Sequence, residues 1–259
     1  MLETLNKEQK TKNKFETMII AIETATTICS VALIKDEKTI GLLESDETNS
    51  HSKILHILID KLLKDAGTDI SSVKAIAISK GPGSYTGLRI GVSAAKGLCY
   101  AKDIPLIGIN TLQSMAYGMR ERALREGIIP EHKHPFFIPM IDARRMEVFT
   151  AVYDKDLNAV KETSAEIITP ETIDNWRSSV NTSDYVFILG GDGAAKCKEV
   201  LPPAKDTIVY LDSFEASARY MLEPAIKAFK EQQFEDTAYF EPFYLKDFIA
   251  GKPRVKGLD

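Results

Sequence analysis

This chain has little of what builds disulfide frameworks and metal sites. Its 259 residues include three cysteines, Cys29, Cys99 and Cys197, and four histidines. The cysteines are scattered, odd in number and without a C-x-x-C pair, as expected of a reduced, cytoplasmic protein with no thiolate metal site. No apolar run reaches the roughly 20 residues of a membrane span. The first seventeen residues, MLETLNKEQKTKNKFET, are polar and lysine-rich and lack the apolar core of a signal peptide. There is no H-E-x-x-H, no grouping that suggests a Ser-His-Asp triad, and no Gly-Lys-Ser/Thr after a glycine loop, so protease and P-loop chemistries have no motif to stand on. Positive charge is not in excess either: 33 Lys and Arg against 37 Asp and Glu give −4. Any RNA contact is therefore expected to be local or shared with a partner. What is present is a globular composition, 44% hydrophobic, long enough for one large domain or two smaller ones.

The most informative stretch is Ser79-Lys80-Gly81-Pro82-Gly83-Ser84-Tyr85-Thr86-Gly87-Leu88-Arg89-Ile90-Gly91. It follows the apolar run VKAIAI and reads as strand, tight turn, helix, with Ser84 able to cap the helix. A loop that opens a helix directs free N–H groups outward, so Gly83 and Ser84 are candidate anion-binding positions. Against this, the spacing G-x-G-x-x-x-G is one residue longer than the dinucleotide fingerprint, and Pro82 removes a donor. The other reading is a structural turn whose glycines admit a close backbone neighbour.

Two helices stand out. In the second, Thr86–Ala101, Gly87, Gly91 and Ala95 recur every four residues and make a ridge of small side chains beside Leu88. Interior glycines cost about 1 kcal/mol each relative to alanine, which calls for a compensating close contact. In the first, Ser50–Asp65, Ile54, Leu55, Ile57, Leu58, Ile59, Leu62 and Leu63 spread over roughly 240° of the helix, where one core stripe needs little over 100°. Both features fit burial within the fold or a partner face. We favour the partner face and expect Ile54, Leu55, Leu58, Leu62, Gly87, Leu88, Gly91 and Ala95 to carry it.

Along the chain, residues 1–17 read as an extension. A hairpin of MIIAIET and ICSVALIK follows, with TIGLLES completing a meander; then the two helices flank the strand VKAIAIS, and the strand IPLIGI leads to a helix over Leu112–Glu126. A second half reopens the pattern: strand PFFIPMI, turn Asp142-Ala143-Arg144-Arg145, return strand MEVFTAVY, then a strand at Tyr185–Leu189 running into the glycine turn Gly190-Gly191-Asp192-Gly193 and a helix. A long helix is expected over Ser213–Glu231, kinked at Pro224. The repetition predicts a duplicated α/β architecture, with a first lobe at 18–118 and a second at 119–259.

The segments Ile20–Thr26, GPGSYTGLRIGVSAAKG, IDARRMEVF, GGDGAAK and EPFYLK, in that order, resemble the bacterial TsaB proteins, also called YeaZ or glycoprotease-like proteins. The resemblance covers essentially Met18 to Lys246. It implies two tandem α/β lobes of the actin and sugar-kinase superfamily. It implies a role in forming threonylcarbamoyladenosine beside the anticodon of tRNA, from a threonylcarbamoyl-adenylate donor. The implied partners are a catalytic TsaD-like paralogue, a TsaE-like ATPase, a second copy when the chain is alone, and tRNA indirectly or through the complex. The catalytic paralogue holds a metal on an H-x-x-x-H pair; the matching positions here are Thr111 and Met115, so a non-catalytic scaffold without a metal is expected. His51 and His56 are five apart and do not share a helix face, and His132 and His134 read as a solvated loop. The superfamily's phosphate cleft is altered by Arg144 and Arg145, which would bind an anion or block its approach. Glu23 stands near the usual acidic position. No cofactor is expected to be required, with weak ATP or ADP binding at most. The alternative is a small-molecule kinase of the same superfamily, for which Asp142 and Asp192 would be the candidate acids.

Overall fold

The computed structural model describes residues 17–47 and 51–246. The expected 1–17 extension and the start of the first helix at Ser50 lie outside these, Thr17 excepted. The first half forms β1 (Met18–Glu23), β2 (Cys29–Lys35), β3 (Lys38–Ser45), α1 (His51–Asp65), β4 (Ala75–Gly81), α2 (Tyr85–Lys102), β5 (Leu106–Asn110) and α3 (Thr111–Arg125). The second forms β6 (His134–Asp142), β7 (Glu147–Tyr153), β8 (Ala159–Ile167), α4 (Thr172–Ser179), β9 (Tyr185–Gly190), α5 (Ala194–Cys197), β10 (Ile208–Leu211) and α6 (Leu222–Lys230).

The duplication is explicit in the sheets. The first is ordered β3-β2-β1-β4-β5 and the second β8-β7-β6-β9-β10. In each, three strands form an antiparallel meander and two more add in parallel beside its first strand. The central strands are buried on both faces, which is why Met18–Glu23 and Tyr185–Gly190 read as unbroken apolar runs.

Each sheet therefore needs cover on two sides. On the outer side of the first, α1 and α2 bury Leu55, Ile59, Leu62, Val92 and Ala95 against Ile20, Ile22, Val31, Leu33, Ile76 and Ile78. On the outer side of the second, Trp176 of α4 and Cys197 of α5 pack on Ile138, Met140, Phe187 and Leu189. The inner faces are covered by exchange. α3 leaves the first half and buries Leu112, Met115, Ala116, Met119 and Ala123 on the second sheet. α6 and the 3-10 turn Ala218–Met221 return from the second half and bury Met221, Ala225 and Ala228 on Ile19, Ala21, Ala32, Ala77 and Ile107 of the first. Gly118 lets α3 approach this turn: a Cβ there would overlap the Tyr220 ring. A cut at residue 118 passes through α3.

Two expectations are corrected. Ser213–Glu231 is not one long kinked helix. Ser217 caps the short 3-10 turn by accepting from Arg219 N–H, and its neighbour Ala218 N–H donates to Ser30 Oγ at 2.9 Å, tying this point to β2. Pro224 then falls in the first turn of α6, where its missing N–H costs nothing, so no kink follows. The glycine turn at 190–193 opens a helix of only four residues, Ala194–Cys197. Elements with weak patterns, the edge strand β8 and the short α4 and β10, have no counterpart in the sequence reading.

The small-residue ridge of α2 has its partner inside the chain. Cβ atoms at Gly87 and Gly91 would overlap the Thr24 carbonyl oxygen and the Thr24 Oγ1, and Ala95 is fully buried. Gly97, on the same helix, has no neighbour within 4 Å of a Cβ. Gly87→Ala is expected to cost about 1–3 kcal/mol by overpacking against backbone. Gly97→Ala should instead stabilise by up to about 1 kcal/mol through helix propensity. Chemical denaturation of the two variants checks the opposite signs.

Candidate functional site

The glycine loop after β4 is closed by its neighbours. Ser84 N–H donates to the Ala25 carbonyl at 2.6 Å, and Ser84 Oγ accepts from Gly87 N–H at 3.2 Å. The space a side chain at Gly83 would take is filled by Ala25, and that at Gly87 by Thr24. Gly81, at φ +112°, lies against the Phe243 carbonyl, and Phe243 N–H donates to the Lys80 carbonyl at 2.6 Å. Carbonyl oxygens, not an anion, occupy the start of α2. The Ser84 N–H expected to hold an anion is thus directed to an internal acceptor, the space at Gly83 is taken by Ala25, and the glycines serve close backbone approach.

The C-terminal segment completes this closure. Glu235 N–H bonds the Leu106 carbonyl at 2.8 Å along the edge of β5. Phe240 enters the first core, and Lys96 Nζ donates to the Phe240 carbonyl at 2.9 Å. The Tyr244 ring lies 5.0 Å from Tyr85, Leu245 packs on the second core, and Lys246 pairs with Glu147. The EPFYLK motif is therefore a strap from the first lobe to the base of the β6–β7 hairpin.

Glu23 ends β1 and is wholly buried. Its Oε1 accepts from Ala25 N–H and from Ser79 Oγ, both at 2.7 Å, whereas Oε2 has no partner. Burial pushes its carboxyl up to about 7, against the opposing effect of those hydrogen bonds. The second hairpin is held differently. Asp192 Oδ1 accepts from Asp142 N–H at 3.0 Å, Asp142 Oδ1 accepts from Arg144 N–H at 2.8 Å, and Lys196 pairs with Asp142. Burial by itself would raise Asp142; Lys196 and the Arg144 N–H bring it below the usual carboxylate value. Burial raises Asp192, against the opposing effect of the Asp142 N–H it accepts. Arg144 and Arg145 form the tip of this hairpin at φ 71° and 51°, a left-handed backbone that costs roughly 1 kcal/mol or more per non-glycine residue.

Thr111 and Met115 lie at the start of α3, both buried, with Met115 in the second core and no imidazole at either position. The histidines are apart: His51 Nε2 is 3.1 Å from the Thr26 carbonyl, His56 faces a groove on α1, and His132 and His134 are exposed at the approach to β6.

On the outer helices, the structure divides the expected partner residues. Leu55, Leu62, Gly87, Leu88, Gly91 and Ala95 are buried in their own lobe and are unavailable to another chain, because the inner stripes of α1 and α2 face the first sheet. Ile54 and Leu58 are half-buried. What does face outward is a groove of about 570 Å³ between α1 and α2, lined by Ser52, His56, Ile90, Ser93, Gly97 and Leu98 among others. Ile57, 63% exposed, and Tyr100, 87% exposed, stand on the same two helices. The sequence signal for this face was the apolar excess of the first helix, which includes Ile57.

The buried Glu23 has a consequence for stability. Its folded pKa is raised, so the folded state holds the proton more tightly than the unfolded chain. Its contribution is best below about pH 4.5 and is lost as pH rises through about 7. Glu23→Gln should therefore be close to wild type in melting temperature at pH 5 and more stable at pH 8, by roughly 1–3 kcal/mol at about 1.4 kcal/mol per pKa unit. Equal destabilisation at both pH values would mean the ionised carboxylate is required.

Comparison with known proteins agrees with this architecture. A family model described as TsaD, tRNA N6-adenosine threonylcarbamoyltransferase, matches residues 35–250. The tRNA threonylcarbamoyladenosine biosynthesis protein TsaB of Escherichia coli K12 is 31% identical, across 90% of this chain and 96% of that one. The protein of the same name in Haemophilus influenzae is 29% identical, across 90% and 95%. A solved Pseudomonas aeruginosa structure described as similar to peptidase YeaZ superposes with a TM-score of 0.71 at 24% identity, covering 89% of this chain and all of that one. The chain belongs to the TsaB (YeaZ) family of tRNA threonylcarbamoyladenosine biosynthesis proteins.

Proposed function

We propose that this chain serves threonylcarbamoyladenosine formation on tRNA as a non-catalytic subunit, by pairing with a TsaD-like catalytic paralogue through the outward face of α1 and α2. The observation that carries this is the contrast between the two ends of the lobe. The glycine loop is filled by the chain's own carbonyls, while the outer helices keep an apolar groove and the exposed Ile57 and Tyr100. Large exposed apolar side chains around a groove mark an interaction surface. Thr111 and Met115 supply no nitrogen ligands where the resemblance to the paralogue calls for them.

The same face would bind a second copy when the paralogue is absent. A TsaE-like ATPase and tRNA would join through the complex, in the cytoplasm. No helix among the described residues is long and apolar enough to cross a membrane. We propose that no cofactor is required and that ATP or ADP binds weakly at most. A small-molecule kinase is not favoured, since the first phosphate loop is occupied and the second carries Arg144 and Arg145 at its tip.

Incubated with threonylcarbamoyl-adenylate and tRNA, the chain by itself should form no modified base, and a TsaD-like partner should need it for full activity. Turnover by this chain unaided, or full activity of the partner without it, would overturn the reading. Gly97→Leu tests the face without disturbing the core, because no atom lies within 4 Å of a Cβ there. Overpacking of about 1–3 kcal/mol at the interface predicts roughly 5- to 150-fold weaker pairing, read by isothermal titration with the fold verified by circular dichroism.

A further inference from the structure

We propose that Arg144 and Arg145 are a direct contact of this chain with the phosphate backbone of tRNA. The inference rests on the tRNA role above and adds to it a site at which RNA is touched.

Among the described residues, the arginines divide sharply. Arg89 reaches Tyr244, Arg120 pairs with Glu223, Arg122 and Arg125 with Glu126, Arg177 with Asp174, and Arg219 with Glu44. Among the described residues, the guanidinium groups of Arg144 and Arg145 have no hydrogen-bond or ion-pair partner; Arg144 only acts through space on Asp142. Both are exposed and adjacent, at the tip of the β6–β7 hairpin. Both hold positive φ, a backbone that glycine or asparagine would adopt at less cost. Strain kept at an exposed tip, with nothing inside the fold gained from the side chains, points outward to a ligand.

The base of the hairpin is rigid where the tip is free. Lys196 pairs with Asp142 and donates to the Glu147 carbonyl at 2.7 Å, and Lys246 pairs with Glu147. These pairs neutralise Asp142 and Glu147, and Asp192 is turned inward to the Asp142 N–H, so the charge presented at the tip is that of the two guanidinium groups. Planar five-donor forks match phosphate oxygens two at a time, which a lone ammonium does not. On a chain with net charge −4, an RNA contact has to be local, and this is a cationic pair without a partner among the described residues, on a braced loop.

The test uses the full-length chain in complex with its TsaD-like partner, with an unmodified tRNA transcript as probe, by fluorescence anisotropy from 50 to 200 mM KCl. In the complex, Arg144→Ala with Arg145→Ala should weaken tRNA binding about tenfold at 100 mM KCl and lower the slope of log K against log salt by about 1–2. Arg144→Asn with Arg145→Gly should lose the same affinity while raising the melting temperature of the chain, since the left-handed backbone is relieved. Unchanged affinity and slope would overturn the proposal. So would weaker pairing with the protein partner in the absence of RNA, which would make the hairpin a protein contact. If the wild-type complex assembles but the double variant modifies and binds tRNA normally, the pairing role stands and the RNA contact falls. If no complex assembles, the pairing role falls, and the tRNA affinity of the chain by itself decides the contact.

Discussion

The structure depends on the exchange of α3 and α6 between its two lobes. Each five-stranded sheet is apolar on both faces, and a sheet of that kind is stable only as the middle of a sandwich. The outer faces are covered locally, by α1 and α2 on one lobe and by α4 and α5 on the other. The inner faces are covered by a helix from the other half: Leu112, Met115 and Met119 on the second sheet, Met221, Ala225 and Ala228 on the first. Neither lobe can complete its core without the other. The strap over Glu235–Lys246 adds to this, since it begins on the edge of β5 and ends at the base of β7.

That arrangement determines what each end of the first lobe can do. With the inner face sealed by exchange, α2 is pressed onto the β1–β2 turn, and only glycine at 87 and 91 allows the Thr24 backbone and side chain to fit. At the start of this helix the Ser84 N–H is met by the Ala25 carbonyl and the Gly87 N–H by Ser84 Oγ. Glu23, beneath the turn, is left with one unpartnered oxygen and a raised pKa. In the first lobe the glycine loop thus serves as a packing element. Its outer helices are left as the open surface.

The second lobe keeps a freer version of the same hairpin. Its carboxylates are paired to Lys196 and Lys246, and its tip carries Arg144 and Arg145. The chain belongs to the TsaB family of threonylcarbamoyladenosine biosynthesis proteins and also matches the TsaD family model. A filled loop in one lobe and an outward face on the helices are the features from which the binding role is proposed.

Much of this was legible in the residues alone. The unbroken apolar runs declared the buried central strands, and the reappearance of hairpin, acidic residue and glycine turn declared the duplication that the matched strand orders bear out. The ordered motifs declared the family. The edge strand β8 and the short elements were invisible, because an exposed, mixed sequence such as AVKETSAEI has no period that separates strand from loop. The long C-terminal helix was misread because apolar residues around Ala218–Ala228 are apolar for contact with the first sheet, whatever their local conformation. By itself the sequence determined that α2 carries a ridge of small residues needing a close neighbour. Only the tertiary structure decided that this neighbour is Thr24 of the same lobe, since a helix face is a local property and the surface it meets is brought there by the sheet.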